Sequence, residues 1–175
     1  EIIDYSIVGW SLSRFASVWV GIKCVKDTVE VTEVVDGSPN RVKLTFPNID
    51  DSDKIHISSK DTPVLQEEKL HALKLPAVHK FSKINNIDRI DFKKSSSKIG
   101  IVSAGKSWLD TLQALELLGI DRDFALKIGL STYKIGLVWP VEPENLKDWA
   151  SGLNLIIVVE EKRKLIEGQI KQILF

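Results

Sequence analysis

A chain of 175 residues, 43% of them hydrophobic, has room for one domain, or one and a part, built on a real core. Lysine plus arginine equal aspartate plus glutamate at 24 each, so no net field draws the chain to nucleic acid or a membrane surface, and no apolar run approaches the ~18 residues of a membrane span. The single cysteine, Cys24, excludes an internal disulfide and a four-thiolate metal or iron–sulfur cage, and makes a cytoplasmic location the expectation.

No methionine stands even at position 1, so the chain is expected to be a piece of a longer polypeptide. Residues 1–9 form a lead-in with no clear period. Over 11–28 the spacing of Leu12, Phe15, Val18, Trp19, Ile22 and Val25 predicts a helix rich in large apolar side chains. Val29, Val31 and Val35 then alternate with polar residues, as do Val42, Leu44 and Phe46 beyond a turn at Asp36, Gly37, Ser38, Pro39 and Asn40. That pattern predicts an antiparallel pair. Residues 47–62 are polar, with an acidic patch at Asp50, Asp51 and Asp53, and read as a linker or long surface loop. Helical spacing resumes from Val64 to Leu75, is interrupted by Pro76, and continues through Val78, Phe81 and Ile84 to Asn85 and Asn86. Residues 87–92 are an expected edge strand. The organisation read from these patterns is a helix, β-pair and linker over 1–62, connecting helices over 63–97, and an α/β domain over 98–175.

The stretch 99–119 organises that domain. Ile99, Ile101 and Val102 supply a buried strand, Ala104 and Gly105 a tight turn, and Leu109, Leu112 and Leu115 the stripe of a helix flanked by Trp108 and Leu118. Ser107 is its expected N-cap, with Asp110 as acidic partner, and Gly119 its C′ residue. Further on, 123–128 reads as a short helix closed by Gly129. Residues 131–139 alternate as a strand ended by Pro140, and Pro143 opens a helix that Gly152 stops. Leu155–Val159, continuously apolar, predicts a strand covered on both faces, and a last helix starts at Lys164. The order β-α-α-β-α-β-α implies a parallel sheet with right-handed crossovers.

Gly100 and Gly105-Lys106-Ser107 match G-x-x-x-x-G-K-[ST], the phosphate-cradling loop of nucleotide hydrolases. That loop needs its strand to end before the first glycine. Here the apolar strand residues Ile101 and Val102 fall inside the motif, and residues 93–98 are too polar for a central strand. The match is read as accidental. His71 and His79 lie eight residues apart, ~12 Å along an ideal helix, too far to share one metal; with His56 they read as local hydrogen-bonding or solvent-facing groups. The remaining candidates sit where strands end. Gly105, Lys106 and Ser107 are placed to bind an anion through helix-start amides, or to serve only as turn, surface charge and cap. Glu160 and Lys162, within Glu160-Glu161-Lys162-Arg163, read as a ligand contact, an interdomain charge patch or a solvated loop. Trp139 and Pro140 end the strand between them.

Three runs, KIGIVSAGKSWLDTLQALELLGID, YKIGLVWPVEPENLKDWASGL and IIVVEEKRKLIEGQIKQILF, resemble the middle of indolepyruvate:ferredoxin oxidoreductases of the long, fused bacterial kind. The upstream GWSLSRFASVWVGIKCVKDTVE and EEKLHALKLPAVHKFSKINNIDRI resemble the preceding part of the same polypeptide. The resemblance implies that 98–175 is similar to the C-terminal domain of transketolase, and that the first helix is the tail of a pyrimidine-binding domain. It also implies a parent enzyme that decarboxylates arylpyruvates with thiamine diphosphate, magnesium and 4Fe–4S clusters, passing electrons to ferredoxin and the acyl group to coenzyme A. The expected partners are the other domains of the polypeptide, ferredoxin through the parent enzyme, and a second copy in a homodimer. The family's Gly-Asp-Gly motif and cysteine clusters have no counterpart in these residues. The stretch itself is therefore expected to hold no cofactor and to act as a non-catalytic structural and docking domain. The alternatives are a module binding an anion such as coenzyme A and, behind it, a phosphate-loop nucleotide hydrolase.

Overall fold

The computed structural model describes residues 1–38, 40–50 and 54–175. Pro39 of the expected turn, and Asp51 and Asp53 of the acidic patch, lie outside the described residues. The chain divides into two compact units, Glu1–Asn85 and Asn86–Phe175.

In the first unit, α1 spans Ile2–Ala16, so the lead-in is helical and the helix stops twelve residues short of the expected end. Ser17 adopts the left-handed conformation (φ 54°, ψ 46°), and its carbonyl accepts from the Lys74 ammonium at 2.8 Å. Beyond it, residues 18–25 carry no regular structure, and Trp19 is 103% exposed; with nothing to bury against, the apolar spacing there forms no helix. One short turn, α2 (Lys26–Val29), follows.

The expected antiparallel pair is not formed. Val31, Val34 and Val35 are exposed, and the backbone of Thr45 bonds in both directions to the Asn85 carboxamide (2.8 and 2.9 Å) instead of to a partner strand. Phe46 is held by rings: Phe15, Phe46 and Phe81 meet with centroids 5.5–6.0 Å apart. Residues 47–50 and 57–62 are loop, as expected, although Ile55 is buried. Helix α3 (Pro63–Lys69) is capped by the Thr62 hydroxyl and runs through a π-turn, Leu70–Lys74, into α4 (Leu75–Ile84). Pro76 does not break the helix. The widened turn absorbs the missing N–H and the ring that would crowd the preceding turn.

The second unit is a four-stranded sheet of β1 (Arg89–Phe92), β2 (Ile99–Ala104), β3 (Leu130–Ile135) and β4 (Leu155–Val159), in the order β1-β3-β2-β4. Strand β1 lies at one edge, as expected, and is antiparallel to β3; β2, β3 and β4 are parallel. The helices between them are α5 (Gly105–Leu117), α6 (Arg122–Ile128), α7 (Pro143–Ala150) and α8 (Leu165–Leu174). Val102, Tyr133 and Ile135 pack against Leu146 and Trp149 of α7 and Ile166 and Ile170 of α8. On the opposite face Ile101 and Leu130 pack with Leu115 of α5 and Ala125 of α6. Helices cover both faces, giving the three-layer α/β architecture.

Ile101 and Val102 are locked between neighbours: Ile101 lies beside Thr132 and Ile157, Val102 beside Tyr133 and Val158. The phosphate-loop reading is thereby overturned, because a strand hydrogen-bonded on both sides cannot wrap a phosphate. Gly100 has its own reason to be glycine. A Cβ there would stand 2.7 Å from the Trp149 ring and from Leu153, so the missing side chain lets the indole lie across β2.

Four local expectations change. The chain leaves β2 through Gly105 (φ +54°) and α5 is already under way at Ser107, whose carbonyl accepts from the Thr111 hydroxyl at 2.7 Å; Ser107 is not a cap. The buried stripe of α5 is Trp108, Thr111 and Leu115, while Leu109 and Leu118 are exposed. Strand β3 ends at Ile135 rather than Trp139, because the next residues are drawn into side-chain hydrogen bonds described below. Finally, β4 is not covered on both faces: Leu155 and Ile157, which point to one face, are 53% and 43% exposed.

Candidate functional site

Parallel pairing sets Ala104 beside Ile135 and Ser103 beside Val159, so three segments leave one edge of the sheet from adjacent strand ends. These are 105–107 after β2, 136–140 after β3 and 160–162 after β4, and they carry all seven residues singled out in the sequence. Carboxyl ends of parallel strands are where open α/β sheets place their ligands.

Their individual states differ. Lys106 holds Asp110 one turn on through both carboxylate oxygens (2.8 and 2.9 Å). Ala104, at the N-cap position of α5, supplies no side-chain hydrogen bond to the helix. Glu160 is a structural cap: its carboxylate accepts from the backbone N–H of Leu165 (3.0 Å), Ile166 (2.8 Å) and Glu167 (3.1 Å), filling the start of α8. Glu142, itself buried, does the same for α7, accepting from Glu144 (2.9 Å) and Asn145 (2.7 Å). Two of the three helix starts at this edge are thus already occupied by carboxylates of the chain. Lys162 is exposed.

Trp139 stands 59% exposed on a loop whose Trp139–Pro140 bond is cis. Two side chains pin that loop. Gln169 of α8 donates to the Val138 carbonyl and accepts from the Val141 N–H, both at 2.9 Å. Asp88 accepts from Gly136 (2.8 Å) and Leu137 (3.2 Å) through one carboxylate oxygen, and from the Tyr133 hydroxyl (3.1 Å) through the other. Burial pushes the Asp88 carboxyl up to about 6 against the pull of those three donors, with the nearby Glu142 adding to the rise. The Tyr133 hydroxyl is raised as well, by burial first and by the Asp88 charge second. Toward the other end of β3, the Trp149 indole donates to Ser131 Oγ (2.8 Å), which donates to the Phe92 carbonyl (2.8 Å). At the far end of α7, Lys93 donates to the carbonyls of Asp148, Trp149 and Ser151, and burial lowers its pKa. A cation there suits the negative end of the helix.

Asp88 and Gln169 escape sequence reading because each works on backbone groups about 30 to 50 residues away. Glu142 carries a readable signal, an acidic residue directly before a proline that opens a helix. A second feature that the sequence does not announce is a groove of about 880 Å3 between α7, β4 and α8, floored by Ile156, Val158 and Leu174 and edged by Lys147, Lys162 and Arg163.

Among the described residues no three His, Cys, Asp or Glu side chains gather to hold a metal ion, and Cys24 is the sole cysteine in the sequence. No helix of the described residues is long and apolar enough to cross a membrane.

Comparison with known proteins finds relatives of this chain. The chain is 29% identical over 113 residues to the indolepyruvate oxidoreductase subunit IorA of Pyrococcus horikoshii, and 28% identical over the same length to that of Pyrococcus abyssi. These matches cover 63% of this chain and 16% of each relative, so the chain spans about a sixth of the length of the curated relatives it matches. Among solved structures, a 2-oxoglutarate:ferredoxin oxidoreductase from Magnetococcus marinus, with 2-oxoglutarate, coenzyme A and succinyl-CoA bound, aligns at a TM-score of 0.42 and 15% identity, over 63% of this chain and 18% of that one. The model of the indolepyruvate oxidoreductase domain matches residues 89–175, which run from the first residue of β1 to the end of α8. The three-layer unit is a member of the indolepyruvate oxidoreductase domain family.

Proposed function

We propose that this chain is a non-catalytic structural and docking part of a cytoplasmic, thiamine diphosphate-dependent indolepyruvate (arylpyruvate):ferredoxin oxidoreductase that converts 2-oxoacids to acyl-CoA. In this reading its three-layer unit, similar to the C-terminal domain of transketolase, packs beside the domains that hold thiamine diphosphate, magnesium and the 4Fe–4S clusters. Electrons go to ferredoxin, and the assembled enzyme is a homodimer. The observation that carries the reading is the self-capped carboxyl edge. Glu142 and Glu160 fill the starts of α7 and α8, and Asp88 and Gln169 pin the loop between β3 and α7. Such an edge holds a shape and presents Trp139 for contact; it does not supply a reacting group.

The test is to assay the chain alone, and the full-length polypeptide with and without residues 89–175, for coenzyme A-dependent reduction of ferredoxin by indolepyruvate. The chain alone gives no turnover and no calorimetric heat with magnesium thiamine diphosphate, while the deletion abolishes assembly of the full polypeptide. Arylpyruvate oxidation by the isolated chain would overturn the reading.

A second reading is favoured by one observation, that Ala104, at the N-cap position of α5, brings no side-chain acceptor to the helix start. It makes Gly105, Lys106 and Ser107, with Lys162, Trp139 and Pro140 alongside, an anion site for the phosphates of coenzyme A. Calorimetric titration of the folded chain with coenzyme A decides it: heat that disappears on Lys106→Ala supports the site, and no heat removes it.

A further inference from the structure

Strand β3 is interior to the sheet, yet it carries four consecutive polar side chains, Ser131, Thr132, Tyr133 and Lys134, each no more than 2% exposed. Successive strand residues point to opposite faces. On the face toward α7 and α8, Ser131 bonds Trp149 and Phe92, and Tyr133 bonds Asp88. On the face toward α5 and α6, two hydroxyls are left over. Thr132 lies on that face with Leu130, and Ser103 lies on it with Ile101, two residues earlier in β2. Both are fully buried, and neither hydroxyl has a hydrogen-bond partner among the described residues. Buried polar side chains are nearly all bonded, either to protein or to ordered water.

The two side chains are neighbours. Ile101 pairs with Thr132 and Ser103 with Lys134, so Ser103 and Thr132 stand diagonally across adjacent parallel strands, ~7–8 Å apart at Cα. They do not bond each other. A single water ~2.8 Å from each oxygen spans that diagonal once the reach of the two side chains is counted. Lys134 adds a polar neighbour on the same rung as Ser103. Helix α5 does not supply the missing partner: Thr111, its buried polar residue, gives its hydroxyl proton to the Ser107 carbonyl instead. Complete burial of both side chains points to a guest of solvent size. We infer that Ser103 and Thr132 hold an ordered water between β2 and β3 on the α5 face, which satisfies both hydroxyls and joins the strands through side chains as well as backbone. The site lies within the sheet, apart from the helix starts, and depends on neither functional reading above.

Crystal structures of the full chain and of the double variant Ser103→Ala with Thr132→Val read the site directly. The wild type shows a solvent peak ~2.7–3.0 Å from both hydroxyl oxygens, and the double variant loses it. Thr132→Ser, which keeps a hydroxyl, keeps the peak. Urea unfolding, with hydrogen exchange of the β3 amides reporting the second unit, gives an independent measure. Ser103→Ala and Thr132→Val each lower the ratio of folded to unfolded chain about tenfold, because each leaves the other hydroxyl stranded. The double variant loses no more than either single one, because no hydroxyl is then left to strand. Hydroxyls without a shared water behave otherwise: each removal relieves a separate penalty, so the ratio rises and the two gains multiply. Effects that multiply, in either direction, overturn the proposal. So does a crystal structure in which no solvent peak touches both oxygens, or in which either hydroxyl bonds a protein group instead.

Discussion

Replacing Asp88 by asparagine tests how the loop after β3 is held. Burial is the largest influence on this carboxyl, and it moves the pKa from an ordinary 3.8 to about 6 in the folded chain. Between those two values the folded state binds more protons than the unfolded state, so stability falls as pH rises. The contribution is fully present below pH 3.8 and lost once pH passes about 6, a change of about 3 kcal/mol. Asparagine keeps the geometry. Its carbonyl oxygen accepts from Gly136 and Leu137, which share one carboxylate oxygen in the native chain, and its amide donates to the Tyr133 hydroxyl oxygen. It does not titrate. Urea unfolding read by circular dichroism, with hydrogen exchange of the β3 amides to report the second unit, should show the wild type losing about 2 kcal/mol relative to Asp88→Asn between pH 4 and 7. A difference independent of pH would refute the account, since it would mean that the carboxylate is as well solvated folded as unfolded. Asp88→Ala separates the hydrogen bonds from the charge: with Gly136 and Leu137 left unpaired, it should destabilise at every pH by about 2–4 kcal/mol.

Three further substitutions probe the same unit. Gly100→Ala drives a methyl into Trp149 and Leu153 and should cost about 1–3 kcal/mol in denaturant unfolding, with loss of the near-ultraviolet signal of the buried indole; an unchanged stability would mean that Trp149 does not lie across β2. Glu160→Ala uncaps α8 and should cost about 1–2 kcal/mol, with faster exchange at the amides of Leu165, Ile166 and Glu167 before any other helix responds. Trp139→Ala should leave unfolding within about 0.5 kcal/mol of wild type, because the ring is largely solvated and the loop is pinned by Asp88 and Gln169 rather than by the indole.

Periodicity carried the second unit well and the first poorly, for a physical reason. Between residues 99 and 175 the apolar runs meet apolar partners in the fold: Val102 finds Trp149, Ile101 finds Leu115. Local pattern and tertiary packing therefore agree. In residues 18–46 the valines alternate as strand residues do, yet Val34 is 94% exposed and no second strand is offered. What orders Thr45 is Asn85, forty residues away, and no spacing rule anticipates a side chain substituting for a strand. The same limit hid Asp88 and Gln169. Ser107 went wrong more subtly: the serine was a suitable cap at a plausible place, but Gly105 turned the chain early enough that the helix began without it.

Two of the helix starts at the carboxyl edge of the sheet are closed by the chain's own carboxylates. A βα turn recruits an anionic ligand by leaving its first amides bare, and at α7 and α8 those amides are taken by Glu142 and Glu160. Each occupied start also fixes an adjoining segment: Glu142 closes the cis-proline loop, and Glu160 bridges the turn from β4 into α8.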